Sequence, residues 1–161
     1  ESLKQIEGLV HPLQEYADVE RMTEEQLNEF LEETPFSETQ KDEVKKSNWG
    51  ERGEKYRSIL FWHKSNKAKV TFGELKQYMA RNGIFLEPEI KRNLDEISKI
   101  LWSAIVSKEE GVRAGDRELQ RDAWKEVEKT GPLYKQIERY IQKRLQSHGR
   151  KPLCKTEKSG D

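Results

Sequence analysis

Apolar residues recur at intervals of three and four along most of the 161-residue chain, and this spacing is typical of amphipathic helices. No stretch shows the apolar–polar alternation of a half-buried β-strand over a useful length. In residues 2–17 the apolar positions fall near one helical face, although Pro12 should kink or interrupt that helix because proline has no N–H to donate. The hydrophobic pattern therefore predicts an all-α fold.

Capping boxes predict two short helices, over residues 23–33 and 37–47. In each of them a hydroxyl residue, Thr23 or Ser37, stands three positions before a glutamine, so that each side chain can bond the backbone N–H of the other residue. Trp49 lies in the turn after the second helix, and its large apolar side chain is expected to fold back onto the core.

The densest apolar set lies in residues 54–86. Its first part predicts a central helix, over residues 51–65, whose broad apolar coverage suggests contacts with several neighbouring helices. The polar run at 64–69 predicts a loop, after which Thr71 should cap another helix. That helix should end near Gly83, because glycine tolerates the left-handed conformation found at helix ends. The two helices are expected to cross.

The C-terminal half predicts three more helices. The first begins near Pro88, since proline is tolerated in a first helical turn, and it runs to about residue 107. The pattern breaks at Gly111, and Asp116 is the expected start of the next helix. The last helix follows Gly131 and has an apolar stripe, which we expect to pack on the helix that begins at Pro88.

Three features occur together in residues 24–86: a short serine-capped helix, a central helix with a tryptophan, and a polar loop before a capped helix that ends in glycine. The residues that form them are Phe36, Ser37, Glu38, Val44, Tyr56, Leu60, Trp62, His63, Ala68, Thr71, Leu75, Met79 and Gly83. With these features the chain resembles a death domain, a member of the six-helix death-fold superfamily. In this arrangement Leu75 and Met79 would pack against Trp62, the anchor of the central helix.

The death-domain resemblance implies a six-helix antiparallel bundle over residues 1–107. Residues 108–148 would then form a C-terminal helical extension, and residues 149–161 a flexible tail. The resemblance further implies a non-enzymatic, cytoplasmic adaptor that assembles signalling complexes, of the kind used in apoptosis and innate immunity, through homotypic contacts. Its partners would be a second copy or another death-fold domain, and no cofactor or small-molecule substrate is expected.

Charge is unevenly distributed along a chain whose net charge is zero. Residues 1–50 hold 5 Lys/Arg against 13 Asp/Glu, a balance of −8, and residues 51–161 hold 25 against 17, a balance of +8. Complementary charges of this kind steer association and set its specificity. The predicted partner-binding residues are the acidic Glu24, Glu25, Glu29, Glu32 and Glu33 and the basic Arg52, Arg57, Lys64, Lys67 and Lys69.

No set of residues has a catalytic or metal-binding pattern. The chain contains no P-loop, no glycine-rich dinucleotide turn and no nucleophile elbow. Cys154 and three scattered histidines do not make a zinc site, and a single cysteine suits a reducing compartment. No apolar run approaches the length that spans a bilayer. We therefore expect no enzymatic activity, no metal and no membrane contact.

Two other functions remain open. The first is nucleic-acid binding, in which 66–81 would form part of a helix-turn-helix and 135–151 would add phosphate contacts. Its basic residues are Lys67, Lys69, Lys76, Arg81, Lys135, Arg139, Lys143, Arg144, Arg150 and Lys151. The second is a scaffold bundle that binds a partner helix through the apolar stripe of the last helix. That stripe consists of Leu133, Ile137, Tyr140, Ile141 and Leu145.

Overall fold

The structure is a computed structural model, and it describes residues 2–11 and 16–148. Within these ranges the regular structure is entirely helical, so the predicted all-α class is confirmed. The α-helices are α1 Ser2–Val10, α2 Glu24–Glu32, α3 Glu38–Lys46, α4 Arg52–Asn82, α5 Pro88–Ala114, α6 Arg117–Glu128 and α7 Thr130–His148. A 3-10 turn, Gly83–Phe85, links α4 to α5. The predicted kink at Pro12 and the predicted tail at 149–161 lie outside the described residues.

Both predicted capping boxes are present. The Thr23 hydroxyl accepts a hydrogen bond from the backbone N–H of Gln26 at 3.2 Å, and the Gln26 side chain accepts one from the Thr23 N–H at 3.0 Å. Ser37 and Gln40 are bonded in the same reciprocal way at the start of α3. These bonds satisfy backbone donors that a helix start would otherwise leave unpaired.

The loop predicted at 64–69 is wrong, because α4 continues through it for 31 residues without a break. Ser65 and Ala68 lie in this stretch and are both fully buried. Thr71 caps nothing: its hydroxyl donates a hydrogen bond to the Lys67 carbonyl one turn earlier, at 2.9 Å. A polar run suggests a solvated loop, whereas part of this one faces α5 inside the molecule.

The expected packing of Leu75 and Met79 against Trp62 is also wrong. All three residues lie on α4, and a helix rises 1.5 Å per residue. Trp62 and Leu75 are therefore about 20 Å apart along the same axis. Instead, Trp62 lies edge-on to Phe61, with ring centroids 5.0 Å apart, beside the larger of two hydrophobic clusters.

The two hydrophobic clusters are joined by α4. The larger cluster takes its buried residues from α1, α4, α5 and α6, with α7 packed on its outside. The smaller cluster lies between α2, α3, the residues before α2 and the first turns of α4. Tyr56 and Ile59 of α4 belong to the smaller cluster, whereas Phe61 and Ala68 belong to the larger one. The two clusters therefore adjoin on α4, where Ile59 and Phe61 are two residues apart.

The α5 helix extends to Ala114, beyond the predicted end near residue 107. Gly111 lies inside this helix and does not break it. At Gly111, α6 crosses α5 closely. A Cβ atom on Gly111 would come within 2.7 Å of the Gln120 side chain and 2.9 Å of its backbone nitrogen. The helix ends at Gly115, whose φ of 68° is left-handed.

The helix expected to begin at Asp116 is confirmed. The Asp116 carboxylate accepts hydrogen bonds from the backbone N–H groups of Glu118 and Leu119, at 2.8 and 3.0 Å. Gly131 lies inside the first turn of α7, which begins at Thr130, and not before it. The predicted division of the chain at residue 107 stays a prediction, although α6 buries side chains in the same cluster as α1 and α4.

Candidate interaction surfaces

A buried polar contact ties the middle of α4 to the end of α5. Glu109 is buried, and its carboxylate lies 2.6 Å from the Lys69 ammonium and accepts a hydrogen bond from the Ser65 hydroxyl. Burial alone would raise the pKa of Glu109, but the bonds from Lys69 and Ser65 outweigh it and hold the pKa below its usual value. Since the Ser65 hydroxyl is fully buried, no substrate can reach it, and the contact is structural.

Four of the five predicted acidic partner residues form an exposed surface on and just after α2. These are Glu24, Glu25, Glu29 and Glu33, and none of them makes an ion pair with another described residue. We call them the α2 carboxylates.

Glu32 differs from the α2 carboxylates because it is engaged inside the molecule. Its carboxylate lies 2.8 Å from the ammonium of Lys41, which lies equally close to Glu38. These two hydrogen bonds raise the pKa of Lys41, and the hydrogen bond from Lys41 lowers the pKa of Glu32. The contact fastens α2 to α3, so we assign Glu32 a structural role.

The five predicted basic residues all lie on α4, and the loop predicted at Lys64, Lys67 and Lys69 is absent. Arg57, Lys64 and Lys67 lie within about 80° of one another around the helix axis, because seven residues make almost two turns and ten residues fall about 80° short of three. Lys64 is half-buried, and its ammonium lies 5.8 Å from the centre of the Tyr16 ring. Arg57 and Lys67 are exposed and make no ion pair with another described residue.

Lys69 and Arg52 do not belong to this basic face. Lys69 points toward α5 and Glu109. Arg52 begins α4 and is half-buried, and its Nε atom makes no hydrogen bond with any described residue. The structure therefore brings together Arg57, Lys64 and Lys67 and separates Lys69 from them.

Trp49 is 80% exposed, so the prediction that it folds back onto the core is wrong. The aromatic packing near the start of α4 involves other residues: Phe30 and Phe36 pack on Tyr56, with ring centroids 5.6 and 5.8 Å apart. Trp49 therefore stands outward, at the end of the molecule where α3 meets α4.

The turn that carries Trp49 is held by a carboxylate from a distant part of the chain. Glu20 accepts hydrogen bonds from the backbone N–H groups of Gly50 and Gly53, at 2.9 and 2.7 Å. These bonds hold the pKa of Glu20 below its usual value. Gly50 has a φ of 93°, a conformation that L-residues with a side chain rarely adopt. The turn, which we call the Trp49 turn, is thus fixed by the Glu20 bonds and by the backbone of Gly50.

A groove lies between the C-terminal half of α4 and the middle of α5. The rings of Phe72 and Trp102 stack in it, with centroids 5.3 Å apart and planes 27° apart. The groove has a volume of about 540 Å³, and three lysines stand at it: Lys69, Lys76 and Lys99. This Phe72–Trp102 groove could not be found from the sequence, because its two aromatic residues come from separate helices that only the tertiary structure brings together.

The basic residues of the nucleic-acid alternative are dispersed. The segment 66–81 is the continuous second half of α4, so the helix-turn-helix predicted there is wrong. On α7, Lys135, Arg139 and Lys143 are all exposed at four-residue spacing, and Arg144 pairs with Glu87. Arg150 and Lys151 lie outside the described residues.

The apolar stripe of α7 packs on the chain itself, as expected. Leu133, Tyr134 and Ile137 contact the larger cluster, and α7 lies along α5. Toward the end of the helix Ile141 and Leu145 become exposed, beside a cavity of about 300 Å³ that Ile90 also lines.

None of the helices in the described ranges combines the length and the apolar character that a bilayer-spanning segment needs. Within the same ranges, no group of three or more His, Cys, Asp and Glu side chains is arranged to hold a metal ion. No protein-family model, no curated protein and no solved structure matches this chain.

Proposed function

We propose that this protein is a non-enzymatic interaction module that assembles with copies of itself, or with similarly charged domains, through complementary charged surfaces. The observation that carries the proposal is the segregation of unpaired charge. The α2 carboxylates stand at one place on the molecule, and Arg57 and Lys67 stand at another, on α4. Neither set is neutralised by an ion pair with a described residue.

Charged surfaces of this kind set the rate and the specificity of association more than its strength. Each exposed ion pair contributes little by itself, about 0–1 kcal/mol, so several must form together. A surface of four carboxylates facing a basic helix face meets that requirement, and it explains how a chain with zero net charge can attract itself.

The death-fold relationship and its cytoplasmic signalling role belong to this proposal. Because α4 runs through the predicted loop, a death-fold ancestry would require that two helices of the motif have fused into one. The self-assembly proposal itself depends only on the two charged surfaces and stands without that ancestry.

The test is the charge reversal Arg57→Glu/Lys67→Glu, followed by light scattering over a range of protein concentrations at low salt. We expect the double variant to assemble more weakly than the unchanged protein, and added salt to weaken the assembly of the unchanged protein. Lys69→Glu is unsuitable for this purpose, because it would place a second carboxylate beside the buried Glu109.

The matched rescue is a second chain that carries Glu25→Lys/Glu29→Lys. Mixing the two reversed chains should restore assembly, since each again presents opposite charge to the other. A double variant that assembles like the unchanged protein, or a mixture that fails to assemble, would contradict the proposed contact.

Nucleic-acid binding is the second candidate, and the basic stripe of α7 favours it. Lys135, Arg139 and Lys143 stand in a row along one helix, a spacing that can follow a phosphate backbone. Binding to a random duplex should then weaken steeply as salt is raised, with a smaller slope for Arg139→Gln. An absence of binding at low salt would remove this candidate.

A further inference from the structure

Trp49 and the Phe72–Trp102 groove have complementary chemistry. Trp49 presents a large, almost fully exposed aromatic ring on a fixed turn, and tryptophan is among the residues that dominate the energetics of protein interfaces. The groove presents two stacked aromatic rings and has the volume of a typical ligand pocket. Aromatic rings pack favourably against one another beyond the area they bury, so an indole is a suitable occupant of this groove.

The exposed, unpaired charges beside the two features are opposite in sign, and the half-buried Arg52 lies between the two glutamates at the turn. Glu51 and Glu54 follow Trp49 within five residues, are exposed, and make no ion pair with another described residue. At the groove, Lys76 and Lys99 are exposed. Lys76 makes no ion pair with a described residue, and Lys99 is only loosely paired with Glu96, at 3.8 Å. An aromatic centre with acidic flanks thus matches an aromatic cleft with basic flanks.

The two features cannot meet within one molecule. Trp49 precedes the first residue of α4, whereas Phe72 lies in the second half of that helix. The helix from Arg52 to Phe72 spans about 30 Å at 1.5 Å per residue, and it is a continuous rigid element. A contact between the indole and the groove therefore has to join two molecules.

We propose that the Trp49 turn of one molecule docks into the Phe72–Trp102 groove of a second copy of this chain. The contact is heterologous, since it joins two different surfaces, and so the molecules at the two ends keep one free turn and one free groove. Molecules joined in this way add head to tail. The fixed conformation of the turn favours the contact, because the Glu20 bonds order it before binding.

This contact deepens the proposed self-assembly function and rests on it, but it uses surfaces other than the α2 carboxylates and the Arg57–Lys67 face. The two contacts can therefore be separated by experiment. The first pair of variants is Trp49→Ala and Trp102→Ala, each measured by sedimentation velocity over a concentration series. We expect each to self-associate at least about tenfold more weakly than the unchanged protein, which is the loss typical of an interface hot spot.

The decisive measurement mixes the two variants. Trp49→Ala keeps an intact groove and Trp102→Ala keeps an intact turn, so together they retain one complete contact. We expect the mixture to associate about tenfold more tightly than either variant alone, because only the mixed pair retains a complete docking contact. The matched control is Tyr78→Ala, which removes an exposed aromatic residue that lies outside the groove, about 120° around α4 from Phe72, and should assemble like the unchanged protein.

A further variant distinguishes loss of the docking contact from loss of the fold. Lys76→Glu reverses one exposed charge at the groove, leaves the aromatic stack in place, and should also weaken association by about tenfold. Unchanged association of Trp49→Ala, or a mixture that associates no more tightly than the single variants, would overturn the docking contact alone. Loss of assembly in Arg57→Glu/Lys67→Glu under those same conditions would leave the proposed function intact. A protein that stays monomeric over the whole concentration series would overturn both.

Discussion

The ammonium of Lys69 lies 2.6 Å from the carboxylate of Glu109, across the interface between α4 and α5. The Glu109 side chain is only 9% exposed, so Glu109 is the buried partner of this ion pair. The geometry fixes how far α4 can slide along α5, because a shift of one turn would leave a buried carboxylate without its partner. The Phe72–Trp102 stack depends on the same alignment.

Lys69→Ala should lower the free energy of unfolding by about 1–2 kcal/mol, because it leaves the Glu109 carboxylate with fewer donors. The loss is at the lower end for a charged contact, since Lys69 is 34% exposed and water can partly replace it. Urea denaturation in dilute protein measures the change. The control is Lys67→Ala, on the exposed side of α4, which should change stability by no more than about 0.5 kcal/mol. Equal effects of the two substitutions would contradict the assigned contact.

Stability should fall in acid partly through Glu109. Its pKa in the folded protein lies below the ordinary value of 4.5, so the unfolded chain takes up the proton first as pH falls. The stabilisation is therefore complete above about pH 4.5 and is lost as pH falls through the folded pKa. Glu109→Gln should be less stable at neutral pH and closer to the unchanged protein in acid. Denaturation curves at several pH values measure this difference, and a difference that does not vary with pH would count against the assignment.

A proline at position 67 tests the continuity of α4. The loop predicted from the sequence would accept Lys67→Pro readily, whereas a helix interior loses a backbone hydrogen bond and suffers a clash. We expect a loss of about 3 kcal/mol or more in the free energy of unfolding. Circular dichroism and thermal unfolding provide the measurement. A variant as stable as Lys67→Ala would show that this stretch is not helical.

Gly111→Ala tests the close packing of α5 on α6, and Gly73→Ala on α4 is its matched control. Gly111→Ala should destabilise the protein by about 1–3 kcal/mol, because its methyl group would meet backbone atoms of Gln120 and Asp116 at 2.9 and 3.0 Å. Gly73 lies inside α4 with open space where a methyl group would stand, so Gly73→Ala should stabilise the protein by about 0.5–1 kcal/mol. Thermal unfolding of both variants compares them directly. A stabilising Gly111→Ala would refute the close crossing of α5 and α6.

The features that could be predicted well from the sequence are those that depend on interactions between residues a few positions apart. The capping boxes at Thr23 and Ser37 form between residues three positions apart, and the Asp116 cap forms over two and three positions. Such bonds depend only on local backbone geometry, so they form regardless of how distant segments of the chain pack. The helical class followed from the same short-range periodicity.

The candidate site could be predicted only in part. Exposed carboxylates on α2 could be recognised from their helical context, but the internal use of Glu32 and Lys69 could not. Each of those two residues is bonded to a residue distant in the sequence, and a single charged residue gives no sign of such a partner. The Phe72–Trp102 groove was hidden from the sequence for the same reason.

The sequence by itself determined where most helices start and which residue faces are apolar. Only the tertiary structure decided that α4 continues through a polar run, because Ser65 is acceptable inside a helix interface once Glu109 accepts its hydrogen bond. Only the tertiary structure likewise left Trp49 exposed, on a turn whose backbone is held by Glu20 from a distant part of the chain. Local hydrogen bonds determine where helices begin, whereas packing between distant segments determines which side chains stay exposed and able to bind a partner.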